Sequence, residues 1–150
     1  RAGQGCKVTF ETYKRPESVL VVVYTAGGEV LLLQRHQPPD FWQSVTGALE
    51  PDETPIAAAR RELFEETGLA AALQNCHRTN EFPIMPEWRA RYAPGTERNR
   101  EYVFTAVCDE RPEVTLDPRE HQALCWLPKQ AAARRASSWT NRAAILAYVP

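Results

Sequence analysis

Residues 18–24 and 29–34 are apolar at almost every position, and only Thr25-Ala26-Gly27-Gly28 separates them. Strand side chains point alternately to opposite faces, so a strand that is apolar on both must be covered on both. The β-branched and leucine-rich character of the two runs favours strands, and the paired glycines favour a tight turn between them. The expectation is a central hairpin in a sheet with helices packed on either side. At 150 residues the chain has room for one such domain. Residues 1–12, rich in glycine and polar types and without periodicity, are expected to form a loose N-terminal segment, which leaves residues 13–150 for the domain.

Further along, Pro38-Pro39-Asp40 interrupts the pattern and residues 43–47 read as a short strand. A helix is predicted over residues 55–67: Thr54 can cap it, Pro55 suits its first position, and Gly68 stands where a left-handed terminating residue belongs. Strands are then predicted at 76–82, 102–108 and 123–127, with a proline- and arginine-rich loop over 83–100, a turn region over 109–120 and a closing helix over 141–148. Strands interleaved with only two helices imply an α/β chain of the α+β kind, a mixed β-sheet sandwiched between helices.

Bulk properties exclude several functions. A net charge of -1 with 25% charged residues gives no basic surface for nucleic acid, and any anionic ligand must be met locally. The apolar runs at 18–24 and 30–33 are too short to span a bilayer, and no hydrophobic leader opens the sequence, so a soluble cytoplasmic protein is expected. Cys6, Cys76, Cys108 and Cys125 are scattered without a C-x-x-C pair, which argues for reduced thiols, Cys108 and Cys125 serving as small core residues.

The long helix carries the chemistry. Ile56, Ala59 and Leu63 fall on one stripe, which leaves Glu62, Glu65 and Glu66 together on another face. Like charges four apart weaken an isolated helix by about 0.2–0.5 kcal/mol, so helix stability does not account for Glu62 and Glu66. A bound cation does. Oxygen-only ligands select a hard ion, Mg²⁺ or Mn²⁺, and such an ion suits a phosphate-bearing substrate.

Gly47, Glu53 and the run Arg61-Glu62-Leu63-Phe64-Glu65-Glu66-Thr67-Gly68-Leu69 match every fixed position of the Nudix box. The chain resembles the Nudix hydrolases, and the resemblance implies the Nudix fold and hydrolysis of a diphosphate linkage by water. It implies Glu62, Glu65 and Glu66 as metal ligands with the Gly47 carbonyl, and Arg61 and Glu53 as the groups that orient them. The physical reading agrees: Arg61 can pair with Glu65 four residues on, and Glu53 lies at the positive end of the helix dipole. Glu120, just before the strand at 123–127, is similar to the position where many members place a further metal ligand or general base. Its neighbour His121 reads as structural.

Other segments extend the resemblance towards a branch of the family that removes pyrophosphate from a triphosphate carrying a flat bicyclic ring. These are Tyr13-Lys14-Arg15-Pro16, residues 40–47, residues 91–95, Arg98-Asn99 and residues 138–142. Such a small-molecule triphosphate needs cations for its phosphates, aromatic faces for its ring and polar groups for the ring edge. Lys14, Arg15, Arg35, Arg78, Arg91 and Arg98 can supply charge. Phe41, Trp42, Tyr92 and Trp139 can stack, while Gln43, Ser44, Asn99 and Asn141 can hydrogen-bond. Two alternatives stay open: a hydrolase that clears oxidised or other nucleoside triphosphates, and a Nudix module that binds a nucleotide without cleaving it.

Overall fold

A computed structural model describes residues 13–150; the N-terminal segment expected at 1–12 lies outside the described residues. The elements run β1 (Glu17–Thr25), β2 (Glu29–Arg35), β3 (Trp42–Gln43), β4 (Val45–Ala48), α1 (Pro55–Thr67) and β5 (Leu73–Pro83). A 3-10 helix (Pro86–Arg91), β6 (Arg98–Cys108), β7 (His121–Pro128), α2 (Lys129–Arg135) and α3 (Trp139–Tyr148) follow. All seven strands join one mixed sheet. Strand β1 runs parallel to β6 from Glu17↔Arg100 to Thr25↔Cys108, and the other pairings are antiparallel.

The expected hairpin forms at its turn and then opens. β1 and β2 pair only at Tyr24↔Val30. Beyond that point β4 takes over the edge of β1, from Val21↔Val45 to Ser18↔Ala48, while β2 pairs along its length with β7 and meets β3 at Leu33↔Gln43. The β3–β4 segment thus enters between the two strands, β3 on the edge of β2 and β4 on the edge of β1 that the hairpin would otherwise close.

Both faces of the sheet are covered, as the doubly apolar strands require. Val19, Val21 and Val23 of β1 point to α1, where they join Ala58, Ala59 and Leu63 of the helix and Phe104 of β6 in one core. Leu20 and Val22 point the other way, to Ala132, Ala133, Ala144 and Ile145 of α2 and α3. The buried stripe of α1 is Ala58, Ala59 and Leu63, with Ile56 only half-buried.

Several elements differ from the sequence expectation, β7 for one running from His121 to Pro128 where 123–127 was expected. Helix α2 was not anticipated; it starts after Pro128 without a side-chain cap. The strand expected at 43–47 is split at Ser44 into β3 and β4. β5 and β6 extend to Pro83 and Arg98, shrinking the expected loop to residues 84–97, part of which is the 3-10 helix. The final helix begins at Trp139, two residues early, because the Ser138 hydroxyl accepts from Asn141 N at its N-terminus.

The ends of α1 are as expected. Thr54 Oγ1 accepts from Ala57 N at 3.3 Å, and Gly68 adopts φ 75° while its N–H donates to Phe64 O. Cys76, Cys108 and Cys125 are free and half-buried, with Cys108 against the α1-side core and Cys125 against the other. Among the described residues no helix is long and apolar enough to cross a membrane.

Candidate active site

Arg61, on the face of α1 that looks towards the β4–α1 connection, is the hub of the site. Its Nε and Nη2 each donate to a Glu53 carboxylate oxygen at 2.8 Å, and Nη2 also reaches Ala48 O at 3.0 Å. Nη1 donates to Glu62 Oε2 at 3.1 Å and to Glu65 Oε1 at 3.2 Å. Glu53 Oε1 in turn accepts from Glu50 N, and Arg15 Nη1 donates to the Glu50 and Glu53 carbonyls. The connecting loop is therefore fixed from both sides by guanidinium groups, whose planar fork suits this bidentate task. The Arg61 hydrogen bonds hold the Glu53 carboxyl below its ordinary range.

Glu62 and Glu66, one turn apart on α1, are both buried, at 8% and 1% exposure, and hydrogen-bond to each other. Burial drives both carboxyls towards the protonated form, and the charge of Glu62 pushes Glu66 further. Thr46 N, on β4, donates to Glu66 Oε1 at 3.4 Å. Glu62 lies directly against the α-carbon of Gly47, where a Cβ would stand 2.7 Å from Glu62 Oε1 and closer still to Oε2. Only glycine leaves room for this approach.

Not all the acidic groups converge as the sequence suggests. Glu65 turns outwards, its side chain 51% exposed and held by Arg61. Glu120, exposed in the turn before β7, contributes its negative charge at Glu66 and at Lys14. Loss of surrounding water and the nearby Arg91 lower the Lys14 ammonium, while Glu62 and Glu120 pull it upwards. Lys14, Arg91 and Arg35 thus form a cationic group beside the acidic one. Lys14 is anchored by its N–H to Arg91 O and by its ammonium 5.9 Å from the Tyr92 ring centre. His121 is buried, and desolvation together with Arg35 lowers its pKa to about 4, so the ring is neutral. Its Nε2 lies 3.3 Å from Gln43 Nε2, while its Nδ1 has no protein partner.

Several residues expected to meet a ring are occupied by the protein itself. Ser44 N donates to Asn141 Oδ1 at 2.7 Å and Asn141 Nδ2 donates to Ser44 Oγ at 2.9 Å, both groups buried. Trp42 packs against the α2–α3 side of the core with the Arg135 guanidinium over its ring at 5.2 Å. Asn99 Nδ2 donates to Ser18 Oγ at 2.8 Å, Arg78 Nε reaches Asn80 Oδ1 at 3.5 Å, and Arg98 lies 4.0 Å from Glu81. Phe41 meets Trp88 edge-on, with ring centres 6.4 Å apart, and Arg35 lies over the same indole at 5.7 Å. Trp139 is 57% exposed at the start of α3.

Residues 14–149 match the NUDIX domain profile. The chain belongs to the Nudix family. It is 43% identical to dihydroneopterin triphosphate diphosphatase of Escherichia coli K12 over 145 residues, 93% of this chain and 95% of that one. It is 42% identical to the enzyme of the same name in Haemophilus influenzae, over 91% of this chain and 89% of that one. Its fold superposes on the structure of the E. coli dihydroneopterin triphosphate pyrophosphohydrolase with a TM-score of 0.86 at 44% identity, covering 92% of this chain and 97% of that one.

Nudix hydrolases generally use divalent metal ions, and the donor set here suits one. Two neighbouring carboxyls, both driven towards the protonated form by burial and by nearby carboxylate charge, gain from a hard cation the charge compensation they lack, and the Gly47 seat keeps one of them in place. Glu65 and Glu120 lie at the margin; among the described residues no group of three acidic, His or Cys side chains is already gathered for a metal. Sequence reasoning did not find Trp88, Asn80 or Glu101. Trp88 gave no signal beyond its aromatic ring in a polar loop. Glu101 did give one: it occupies an inward position of β6, in the same alternating phase as Val103.

Proposed function

We propose that the chain hydrolyses dihydroneopterin triphosphate to dihydroneopterin monophosphate and pyrophosphate, the activity carried in the names of its E. coli and H. influenzae relatives. The observation that carries this reading is the buried Glu62–Glu66 pair seated against Gly47, with Lys14, Arg35 and Arg91 beside it. Glu62, Glu66 and the Gly47 carbonyl would hold Mg²⁺, or Mn²⁺ in its place, with Glu65 and Glu120 completing the set. The ion supplies charge neutralisation at the phosphate oxygens.

The protein's own groups do the rest. Arg61 and Glu53 fix the carboxyls in place. The exposed Glu120 is the group best placed to accept the proton of the attacking water, with Glu66 beside it. Lys14 and Arg91 neutralise the outer phosphates, and Arg35 with Phe41 and Trp88 walls the entrance. The free thiols Cys76, Cys108 and Cys125 suit a cytoplasmic setting.

The test is product identification from dihydroneopterin triphosphate with Mg²⁺ in ¹⁸O-labelled water, run beside the common and oxidised nucleoside triphosphates. Pyrophosphate and dihydroneopterin monophosphate are expected, at a higher kcat/KM than for any nucleotide. A preference for a nucleotide would move the chain to the nucleotide-clearing reading, and binding without turnover to the non-catalytic one.

A further inference from the structure

The side of β1 and β6 that faces α3 is aliphatic at its centre, bounded by Tyr24 and Thr105 at one end and by a polar group at the other. Leu20, Val22 and Val103 are sealed there at 0–2% exposure, but Asn99, Glu101 and, across on β5, Asn80 are polar and retain 5–8%. Glu101 is the anomaly. Asn80 Nδ2 donates to it at 3.3 Å and the Thr140 hydroxyl lies near it at the first turn of α3, with no cation among the groups that act on it. A carboxylate can accept about four hydrogen bonds. Fastening α3 to the sheet needs only an amide or a hydroxyl, without the cost of burying a charge. A retained carboxylate with spare acceptor capacity points to donors that come from outside the chain.

The sheet register places this group within reach of the acidic site. Val19 pairs with Gly47 across β1 and β4, and the preceding Ser18 pairs with Glu101 across β1 and β6. Two strand spacings separate Gly47 from Glu101 along the sheet, roughly 10 Å, with the Glu62 carboxyl on the α1 face, in phase with Val19, and Glu101 on the α3 face, in phase with Ser18 and Leu20. A ligand that meets both passes round the edge of β4, with a short polyol between phosphate and ring to make the turn. No other strand pairs with β4 besides β1 among the described residues, and the groups flanking Gly47 on its outer edge, Thr46 N and Ala48 O, meet Glu66 and Arg61, which sets the acidic site at that edge. Thr140 and Asn141, adjacent on α3, hold Glu101 and Ser44 respectively, so the helix is pinned to both strands and Glu101 is set before any ligand arrives.

We infer that Glu101 is a specificity-determining residue, accepting hydrogen bonds from the ring N–H and adjacent exocyclic amine of a 2-amino-4-oxo fused pyrimidine, with Asn80 beside it. The inference rests on the proposed hydrolysis of a ring-bearing triphosphate and names the group that reads the ring. Pterin and guanine share this donor pair; hypoxanthine has the ring N–H without the amine, and adenine lacks the N–H.

The experiment compares wild type, Glu101→Gln and Glu101→Ala on dihydroneopterin triphosphate, GTP, ITP and ATP, and titrates the fluorescence of neopterin. Glu101→Gln keeps the shape but turns an amide N–H₂ towards the donor edge. It is expected to lower kcat/KM for dihydroneopterin triphosphate roughly 10- to 100-fold, chiefly through KM. It is also expected to weaken neopterin binding by a similar factor and to bring the GTP:ITP ratio towards one, with ATP turnover little changed. Equal losses on all four substrates would make Glu101 merely structural, and an unchanged GTP:ITP ratio with unchanged neopterin affinity would remove it from recognition. The two readings fail separately. Wild type preferring a nucleotide, with the GTP:ITP ratio collapsing in Glu101→Gln, overturns the proposed substrate and keeps Glu101. Wild type preferring the pterin, with unaltered ratios and affinity in the variant, does the reverse.

Discussion

The Glu62 carboxyl rests against the α-carbon of Gly47, in space that any other side chain would fill. A Cβ at this position meets the carboxyl group itself, and burial leaves Glu62 little room to retreat. Gly47→Ala is therefore expected to displace Glu62 from Glu66 and Arg61 while the strand pairing of Gly47 with Val19 persists. Turnover should fall roughly 10- to 100-fold, the range for losing support of a ligand group. Steady-state kinetics with a Mg²⁺ titration, beside a circular dichroism spectrum, checks this. A variant with parental turnover and Mg²⁺ affinity would show that the carboxyl does not need its seat.

The helix that carries these groups was legible in the sequence because its information is local. Thr54, Pro55 and Gly68 act within a turn of their own positions, and the structure has them capping, starting and ending α1. The sheet was legible as a double-sided one, since Val19 to Val23 alternate between two apolar cores. What the chain did not disclose depends on distant partners. The early parting of β1 and β2 follows from the entry of β3 and β4 between them, and Ser44 meets Asn141 across 97 positions. Helix α2 lacks a capping side chain, so no local signal marked its start. β5, an edge strand with mostly half-buried or exposed residues, hid its length for want of an apolar alternation.

Arg61 joins five acceptors on four residues, from Glu53 through Ala48 to Glu62 and Glu65. A lysine at this position carries the charge but has no planar fork, so it cannot reproduce the bidentate contact with Glu53. Arg61→Lys is expected to destabilise the fold by about 1–3 kcal/mol, the scale of hydrogen bonds to charged groups, and to lower kcat as well. Urea unfolding measures the first and steady-state kinetics the second. A lysine variant indistinguishable from wild type in both would reduce Arg61 to a source of charge.

The buried Glu101 makes a pH-dependent contribution whose sign is fixed by its environment. Desolvation raises its carboxyl above the ordinary value of 4.5, so the folded state favours the proton more than the unfolded state does. That stabilisation is complete below the ordinary carboxyl pKa and is lost as pH rises through the higher folded value. Glu101→Gln, which cannot ionise, is expected to gain stability relative to wild type as pH increases from 4.5 to 8. Unfolding free energies of the two proteins at several pH values over this range check the trend. A gap between them that stays constant, or narrows, would place the charge of Glu101 in a better-solvated or cation-paired setting.

Ser44 and Asn141 exchange two hydrogen bonds in the interior, tying the start of β4 to the first turn of α3. The amide of Asn141 is thereby committed to the scaffold, and the same helix turn carries Thr140, the partner of Glu101. Asn141→Ala leaves the buried Ser44 N–H without its acceptor and Ser44 Oγ without its donor, and a loss of about 1–3 kcal/mol is expected for each group left unsatisfied. Because the amide is engaged inside the protein, the effect on KM should be small at temperatures where the variant remains folded. Asn141→Asp keeps the acceptor for Ser44 N–H and should recover part of the stability, although it places a carboxylate at a buried position. Chemical denaturation gives the stabilities, and KM for dihydroneopterin triphosphate, measured well below the melting temperature, separates the roles. A large rise in KM with little loss of stability would return Asn141 to the ligand.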